Sequence, residues 1–279
     1  MVYNENTFLN ESGNVIIKTF YSSVKPEKRE LRDHHHTECE FSLVVSGKGR
    51  YAVHGTEYEF SRGDVFLFGS NEPHCIIEII EEIVLLNVYF EPRIFWEEPE
   101  NIELLNLFVA RNKNFSNKFP SSDERLKEIL TETEREMSEK KQGYRVSIKY
   151  LLFSAMVHIL REYDYTKKNG SVMKGISSVA NIKDAIEYID KNLDKKLTLK
   201  MISEVACMTP TYFSALFKKL NGVTPWEYIT IKRVERSIEM IKSTSMTKLE
   251  IAEKCGLSGS SNFYKAFARV TGKKPNDYK

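Results

Sequence analysis

The last hundred residues carry one pattern twice, and this repeat restricts the fold more than any other feature. ISEVACMTPTYFSALFKKLNGVTPWEY runs from Ile202 to Tyr228, and IAEKCGLSGSSNFYKAFARVTGKKPNDY from Ile251 to Tyr278. Ile202 and Met208 match Ile251 and Leu257 at an offset of 49. Phe213, Phe217, Gly222, Pro225 and Tyr228 match Phe263, Phe267, Gly272, Pro275 and Tyr278 at 50, so the second copy has one extra residue in its turn. A repeat at such a period is one supersecondary unit used twice.

Each copy predicts two helices joined by a short turn. The first helix spans Thr198–Ala206 or Thr247–Cys255, and Thr209 or Ser258 caps the second. The paired Phe residues lie on the second helix's buried side, the following Gly stops it, and Pro225 starts a connecting helix to about Ser243. Such a unit is a helix-turn-helix, whose second helix can enter a DNA major groove. Charge points the same way. Residues 181–279 hold 18 Lys and Arg against 11 Asp and Glu, a balance of +7, whereas 1–180 hold 23 against 28, a balance of −5. The whole-chain charge of +2 hides this asymmetry.

Over these residues the chain resembles the AraC family of transcription regulators. The two copies and the intervening PWEYITIKRVERSIEMI carry the resemblance, with Arg233 at the family's recurrent arginine and Ser237 where a small apolar residue is usual. It implies a DNA-binding domain whose two recognition helices enter successive major-groove segments on one face of double-stranded DNA. By the same resemblance Thr211, Ser214 and Ala215 face bases from the first helix, and Ser260, Ser261, Tyr264 and Lys265 from the second. Ala215 offers only apolar contact, and Lys265 is the one long donor able to reach guanine O6 or N7. Lys218, Lys219, Arg233, Lys273 and Lys274 are the phosphate candidates.

The first hundred residues have another texture. FSLVVSG, GRYAV, HGTEYEF, GDVFLF and EIVLLNVYF read as strands, with glycines near the breaks, and predict a small sandwich or barrel. HHHTECEF, from His34 to Phe41, lies among them. In an extended strand His34, His36, Glu38 and Glu40 share one face, and His35, Thr37, Cys39 and Phe41 the other. RGDVFLFGSNEPHCI then supplies His74 from a later strand.

These residues resemble the two cupin motifs found in many AraC-family sensor domains. The first is met as His34-x-His36-xxx-Glu40-xxxxxx-Gly47, and the second at Gly63 and His74. Asn71 stands where a glycine is common, and Glu78 where an asparagine is common. The resemblance implies that His34, His36, Glu40 and His74 converge inside a barrel. There they line a polar pocket for a sugar or other small metabolite, which is the reading we favour, or ligate one divalent metal. His35 and His54 read as surface or turn residues, and Cys39 and Cys75 as small hydrophobes.

Between the two halves, Leu126, Ile129, Leu130, Thr133 and Met137 follow helical spacing. Val146–Glu162 is apolar almost all round, so it is either sandwiched in the core or, the reading we favour, forms a subunit contact. DYTKKNGSVMKGISSVAN, residues 164–181, reads as polar linker, with Ser178 or Asn181 capping the next helix. Four scattered cysteines and the absence of a signal-like N-terminus suit a cytoplasmic protein without membrane spans.

The expected fold is therefore α+β and multidomain. It comprises a cupin-like β-barrel over 1–100, a helical dimerisation segment over 101–170, a linker over 171–180 and an all-α domain with two helix-turn-helix units over 181–279. The expected protein is a ligand-responsive homodimeric transcription regulator, with RNA polymerase a further partner if it activates. The alternative is a cupin metalloenzyme, a dioxygenase or isomerase with an accessory helical domain, which leaves the repeat unexplained.

Overall fold

The structure is a computed structural model that describes residues 1–9, 15–26, 36–96, 99–166, 171–257 and 259–278. The chain forms two compact units, one of Met1–Phe8 with Val15–Ile176 and one continuing from Ser177 to the end.

The first unit is built on a seven-stranded sheet. Its strands are β1 (Val2–Leu9), β2 (Val15–Val24), β3 (Cys39–Val53), β4 (Thr56–Ser61), β5 (Val65–Phe68), β6 (His74–Phe90) and β7 (Lys118–Phe119). They follow the order β1-β2-β6-β3-β5-β7, with β4 pairing β3. The registered pairs are antiparallel. FSLVVSG and GRYAV, read as two strands, are one 15-residue strand. The glycine that closes the first of them bulges the ladder instead of ending it. Gly47 sits at φ +92, where an added Cβ would stand 2.3 Å from Glu82 O, and the β3–β6 register shifts around it. EIVLLNVYF is likewise the second half of the 17-residue β6.

Val44, Tyr51, Val53, Phe60, Phe66, Phe68, Ile83 and Leu85 form a hydrophobic cluster on this sheet. After the short α1 (Asn106–Val109), helices α2 (Glu124–Glu139) and α3 (Tyr144–Glu162) pack on one another. The residues buried on α2 are the five given by helical spacing: Leu126, Ile129, Leu130, Thr133 and Met137. The α3 helix buries a single stripe, Ile148, Leu152, Ala155, Met156 and Ile159, while Val146 and Tyr150 are 74% and 69% exposed.

The expected linker is helical. The α4 helix runs Ser171–Lys191, so residues 171–180 lie inside it and Ser178 and Asn181 are not its caps. Its apolar stripe, Val179, Ile182, Ala185, Ile186 and Ile189, is buried. Residues 166–191 contain no proline, and the single Gly175 costs a helix only about 1 kcal/mol, too little to stop it.

The second unit continues with α5 (Leu199–Val205), α6 (Pro210–Asn221), α7 (Pro225–Ser243), α8 (Lys248–Lys254) and α9 (Ser260–Thr271), and ends in a 3-10 turn at Pro275–Tyr278. Caps set most of the boundaries. Thr198, Thr209, Thr224 and Thr247 each accept a backbone N–H at the start of a helix, and Thr224–Glu227 and Thr247–Glu250 form full capping boxes. Gly222 and Gly272 end α6 and α9 in the left-handed conformation. The N-cap position of α9 is Gly259, at φ +79; Ser258 lies outside the described residues.

The sequence repeat is also a packing repeat. Phe213–Phe217 and Phe263–Phe267 stand 5.4 and 5.6 Å apart, centroid to centroid. Phe217–Tyr228 and Phe267–Tyr278 both meet edge to face at 5.4 Å, at 78° and 77°. Such pairs add about 1 kcal/mol beyond the area they bury. The α7 helix touches α6, α8 and α9, and so joins the two copies. Among the described residues no helix is long and apolar enough to cross a membrane.

Candidate functional site

Three of the four predicted pocket residues meet. His36, Glu40 and His74 bring one ligand atom each within 4.8 Å of one another. His36 Nε2 lies 3.0 Å from Glu40 Oε2, and His74 Nε2 lies 3.2 Å from the same oxygen. His34 and His35 lie outside the described residues.

Strand parity gives the right partners for the wrong reason. The strand starts only at Cys39, so His36 reaches Glu40 from the preceding bend, and Glu38, its expected face-mate, is half-buried with its carboxylate 3.6 Å from His36 Nδ1. A contact between loops holds the bend: Asn71 N–H donates to His36 O at 2.7 Å. Asn71 has φ 55, a conformation that glycine adopts freely and asparagine tolerates, which accounts for its place in the motif. Glu78 is outside the cluster and receives Arg50 Nε at 2.6 Å.

Both imidazoles are oriented from behind. His36 Nδ1 lies 3.0 Å from Glu38 O, and His74 Nδ1 lies 2.8 Å from Glu72 O. A carbonyl only accepts, so each Nδ1 carries a proton and each Nε2 is turned toward Glu40. The rings stack as well, His74 on Phe68 at 3.9 Å and His36 on Tyr89 at 4.3 Å.

Glu40 is buried, which alone would raise its pKa. The hydrogen bonds and charges of His36 and His74 outweigh that and hold its carboxyl at about 2. Burial pulls His74 down, but the Glu40 carboxylate reverses this and leaves the ring raised. The Tyr89 hydroxyl donates to Glu40, and burial together with that carboxylate pushes the phenol far above its ordinary value. Cys39 and Cys75 are buried, and His54 is an exposed turn residue, as expected.

The donor set fits a divalent cation. Two imidazoles with Nδ1 on backbone carbonyls and Nε2 facing one carboxylate form the arrangement seen around ligated metals.

Sequence reasoning overlooked the support behind His74. Glu72 is 7% exposed, and its carboxylate takes both terminal nitrogens of Arg111, the N–H of Gly69 and Nδ2 of Asn117. Burial would raise this carboxyl, but Arg111 and these donors hold it below its ordinary value.

In the second unit, Thr211, Ala215, Lys218 and Lys219 are exposed along α6, and Ser214 is half-buried. On α9 Ser261, Tyr264 and Lys265 are exposed, as are Lys273 and Lys274 beyond its end. Ser260 begins α9, at its N-terminus. Tyr212, 53% exposed beside Thr211, was not anticipated. Arg233 departs from expectation. Its Nε donates to Leu193 O at 2.9 Å and its Nη2 to Lys195 O at 2.8 Å, so the guanidinium braces backbone.

The chain is similar to known proteins along most of its length. Residues 202–279 match the family described as "Helix-turn-helix domain", and residues 19–156 the one described as "AraC-like ligand binding domain". The Photobacterium leiognathi protein named "Probable transcriptional regulator LumQ" is 24% identical over 265 residues, 94% of this chain and 97% of its own. "HTH-type transcriptional activator RhaR" of Enterobacter sp. (strain 638) is 23% identical over 246 residues, 87% of this chain and 85% of its own. A solved structure, the C-terminal domain of the response regulator AraT from Geobacillus stearothermophilus, is 31% identical over 35% of this chain and 82% of that one, with a TM-score of 0.34.

Proposed function

Since the chain belongs to the AraC family of ligand-responsive, DNA-binding transcription regulators, which are not enzymes, we propose that His36, Glu40 and His74 form its effector site and that α6 and α9 read its operator. The observation that carries the effector reading is the convergence of two imidazoles on one buried carboxylate oxygen. Glu40, Tyr89 and the two imidazoles offer hydrogen-bonding groups, a combination suited to a sugar or another small polyhydroxy metabolite.

A divalent cation in the same cluster is the second reading, favoured by the carbonyl-bound Nδ1 atoms. His36, Glu40 and His74 would hold it, and it would supply a Lewis-acidic point for an effector oxygen. On the DNA side Thr211, Ser214, Ala215, Ser260, Ser261, Tyr264 and Lys265 face bases, while Lys218, Lys219, Lys273 and Lys274 contact phosphates. Two chains pair through α2 and the exposed side of α3, where Val146 and Tyr150 lie. The protein works in the cytoplasm and contacts RNA polymerase if it activates.

A thermal-shift screen of the full chain with monosaccharides, hydroxy acids and divalent metals tests the site. One compound is expected to stabilise the wild type and not His36→Ala, with non-specific DNA affinity equal in both. Equal stabilisation of the variant removes His36 from the site. Metal analysis before and after dialysis against EDTA separates the two readings.

A further inference from the structure

The loop carrying His74 is fastened, through the buried Glu72 and the half-buried Arg111 and Asn112, to the last described stretch before α4. Glu72 faces both ways. Its carbonyl accepts from His74 Nδ1 at 2.8 Å, while its carboxylate takes Arg111 Nη1 at 2.5 Å and Nη2 at 3.0 Å. Arg111 is itself fixed, with Nε donating to Leu107 O at 2.8 Å and the guanidinium 3.8 Å over the Phe115 ring. The Arg111 backbone forms an antiparallel bridge with Thr166. Asn112 closes the connection. Its N–H donates to Tyr165 O at 2.9 Å, and its Nδ2 to Asp164 O at 2.7 Å and Thr166 O at 3.1 Å.

We propose that Glu72 and Arg111 are positioning residues that transmit the state of His74 to residues 164–166, the stretch from which the chain proceeds toward α4. The proposal rests on the reading of His74 as part of an effector site. Any group that engages His74 Nε2 acts on the whole ring, and the ring holds the Glu72 peptide through Nδ1. The Glu72 carboxylate cannot absorb the shift by turning into solvent, because it is buried and carries four donors. A buried ion pair is costly to leave half-made, so Glu72 and Arg111 move together. At the far end, the bonds of Asn112 to 164–166 are partly solvent-exposed backbone contacts, the class that opens most easily.

A purely structural clamp would hold the loop without linking its two ends. Amide hydrogen exchange on the full chain separates these possibilities, with no effector required. His74→Ala is measured in the wild type and in the pair variant Glu72→Gln/Arg111→Met, which removes both charges without stranding either. Relay predicts that His74→Ala speeds exchange of the Asn112 amide about tenfold in the wild type and less than about twofold in the pair variant. The Leu126 amide, capped by Asp123, stays unchanged throughout. Equal factors in both backgrounds, or no effect in the wild type, overturn the proposal.

If the pair variant loses its near-UV circular dichroism, Asn112→Ala replaces it, cutting only the far end. His74→Ala must then still speed exchange at Gly69 but act about threefold less on residues 163–166. An undiminished effect there also overturns the proposal. A thermal-shift screen without hits defeats the effector reading and leaves the exchange result standing. Uncoupled exchange in a protein that binds an effector defeats only the relay.

Discussion

The guanidinium of Arg233 lies so close to Gly256 that a Cβ on the glycine would stand 2.9 Å from Nη2 and 2.2 Å from Leu193 O. The glycine is also at φ +72, which disfavours any side chain. Gly256→Ala is therefore expected to destabilise the protein by about 3 kcal/mol, combining left-handed strain with overpacking. The matching turn of the first copy has Cys207, at φ 52 and exposed. There Cys207→Gly should be neutral or stabilising, by up to about 1 kcal/mol. Urea unfolding of both variants checks the contrast, and a harmless Gly256→Ala would show that the contact yields.

Exposure and bracing divide the basic residues of the second unit into two behaviours. Lys218→Gln and Lys273→Gln should each weaken DNA binding about uniformly across sequences and lower the salt slope by about 1. Lys265→Ala should alter sequence preference while changing stability by less than about 0.5 kcal/mol. Arg233→Gln should lower the unfolding midpoint and leave the salt slope as it was. Fluorescence anisotropy over a salt series, beside thermal unfolding, reads all four, and a reduced slope for Arg233→Gln would restore it as a phosphate ligand.

Asp123 caps α2 by accepting from Leu126 N at 3.0 Å, and its carboxylate also meets His158 Nε2 and the Tyr163 hydroxyl at 2.7 Å. Burial alone would raise its pKa. The bonds from Leu126, Tyr163 and His158 prevail and depress it. A carboxyl depressed in the folded state adds stability above its unfolded value of about 3.9 and loses it as pH falls through the folded value. Asp123→Ala should therefore cost about 1 kcal/mol or more near neutral pH, and the gap from wild type should narrow below about pH 4. Thermal midpoints from pH 7 to pH 3 test this; a constant gap would mean that the carboxylate's charge plays no part.

The second unit was legible because its determinants are local. Thr224 with Glu227 and Thr247 with Glu250 announce helices three residues ahead, and the Phe pairs lie one turn apart. The bracing by Arg233 was not legible because its acceptors, Leu193 and Lys195, precede it by 40 and 38 residues. The same holds for Glu72, whose partners Arg111 and Asn117 are 39 and 45 residues away. Motif spacing found Glu40 and His74, yet nothing in one strand's alternation could show that His36 arrives from a bend. The two units divide within the expected linker, between Ile176 and Ser177, but its helical form was not foreseen: Ser and Gly weaken a helix, yet without proline they did not prevent α4.

The matched Phe–Phe–Tyr interiors of the two copies have a consequence for how such a protein can change over generations. Phe213, Phe217 and Tyr228 satisfy one unit, Phe263, Phe267 and Tyr278 the other, and neither set includes an outward residue of α6 or α9. Outward positions can thus drift in one copy while its interior and its sister copy stay intact. If α6 and α9 read the operator as proposed, each half of a target site can be rewritten separately, so a new regulon needs only a few surface substitutions and no new architecture.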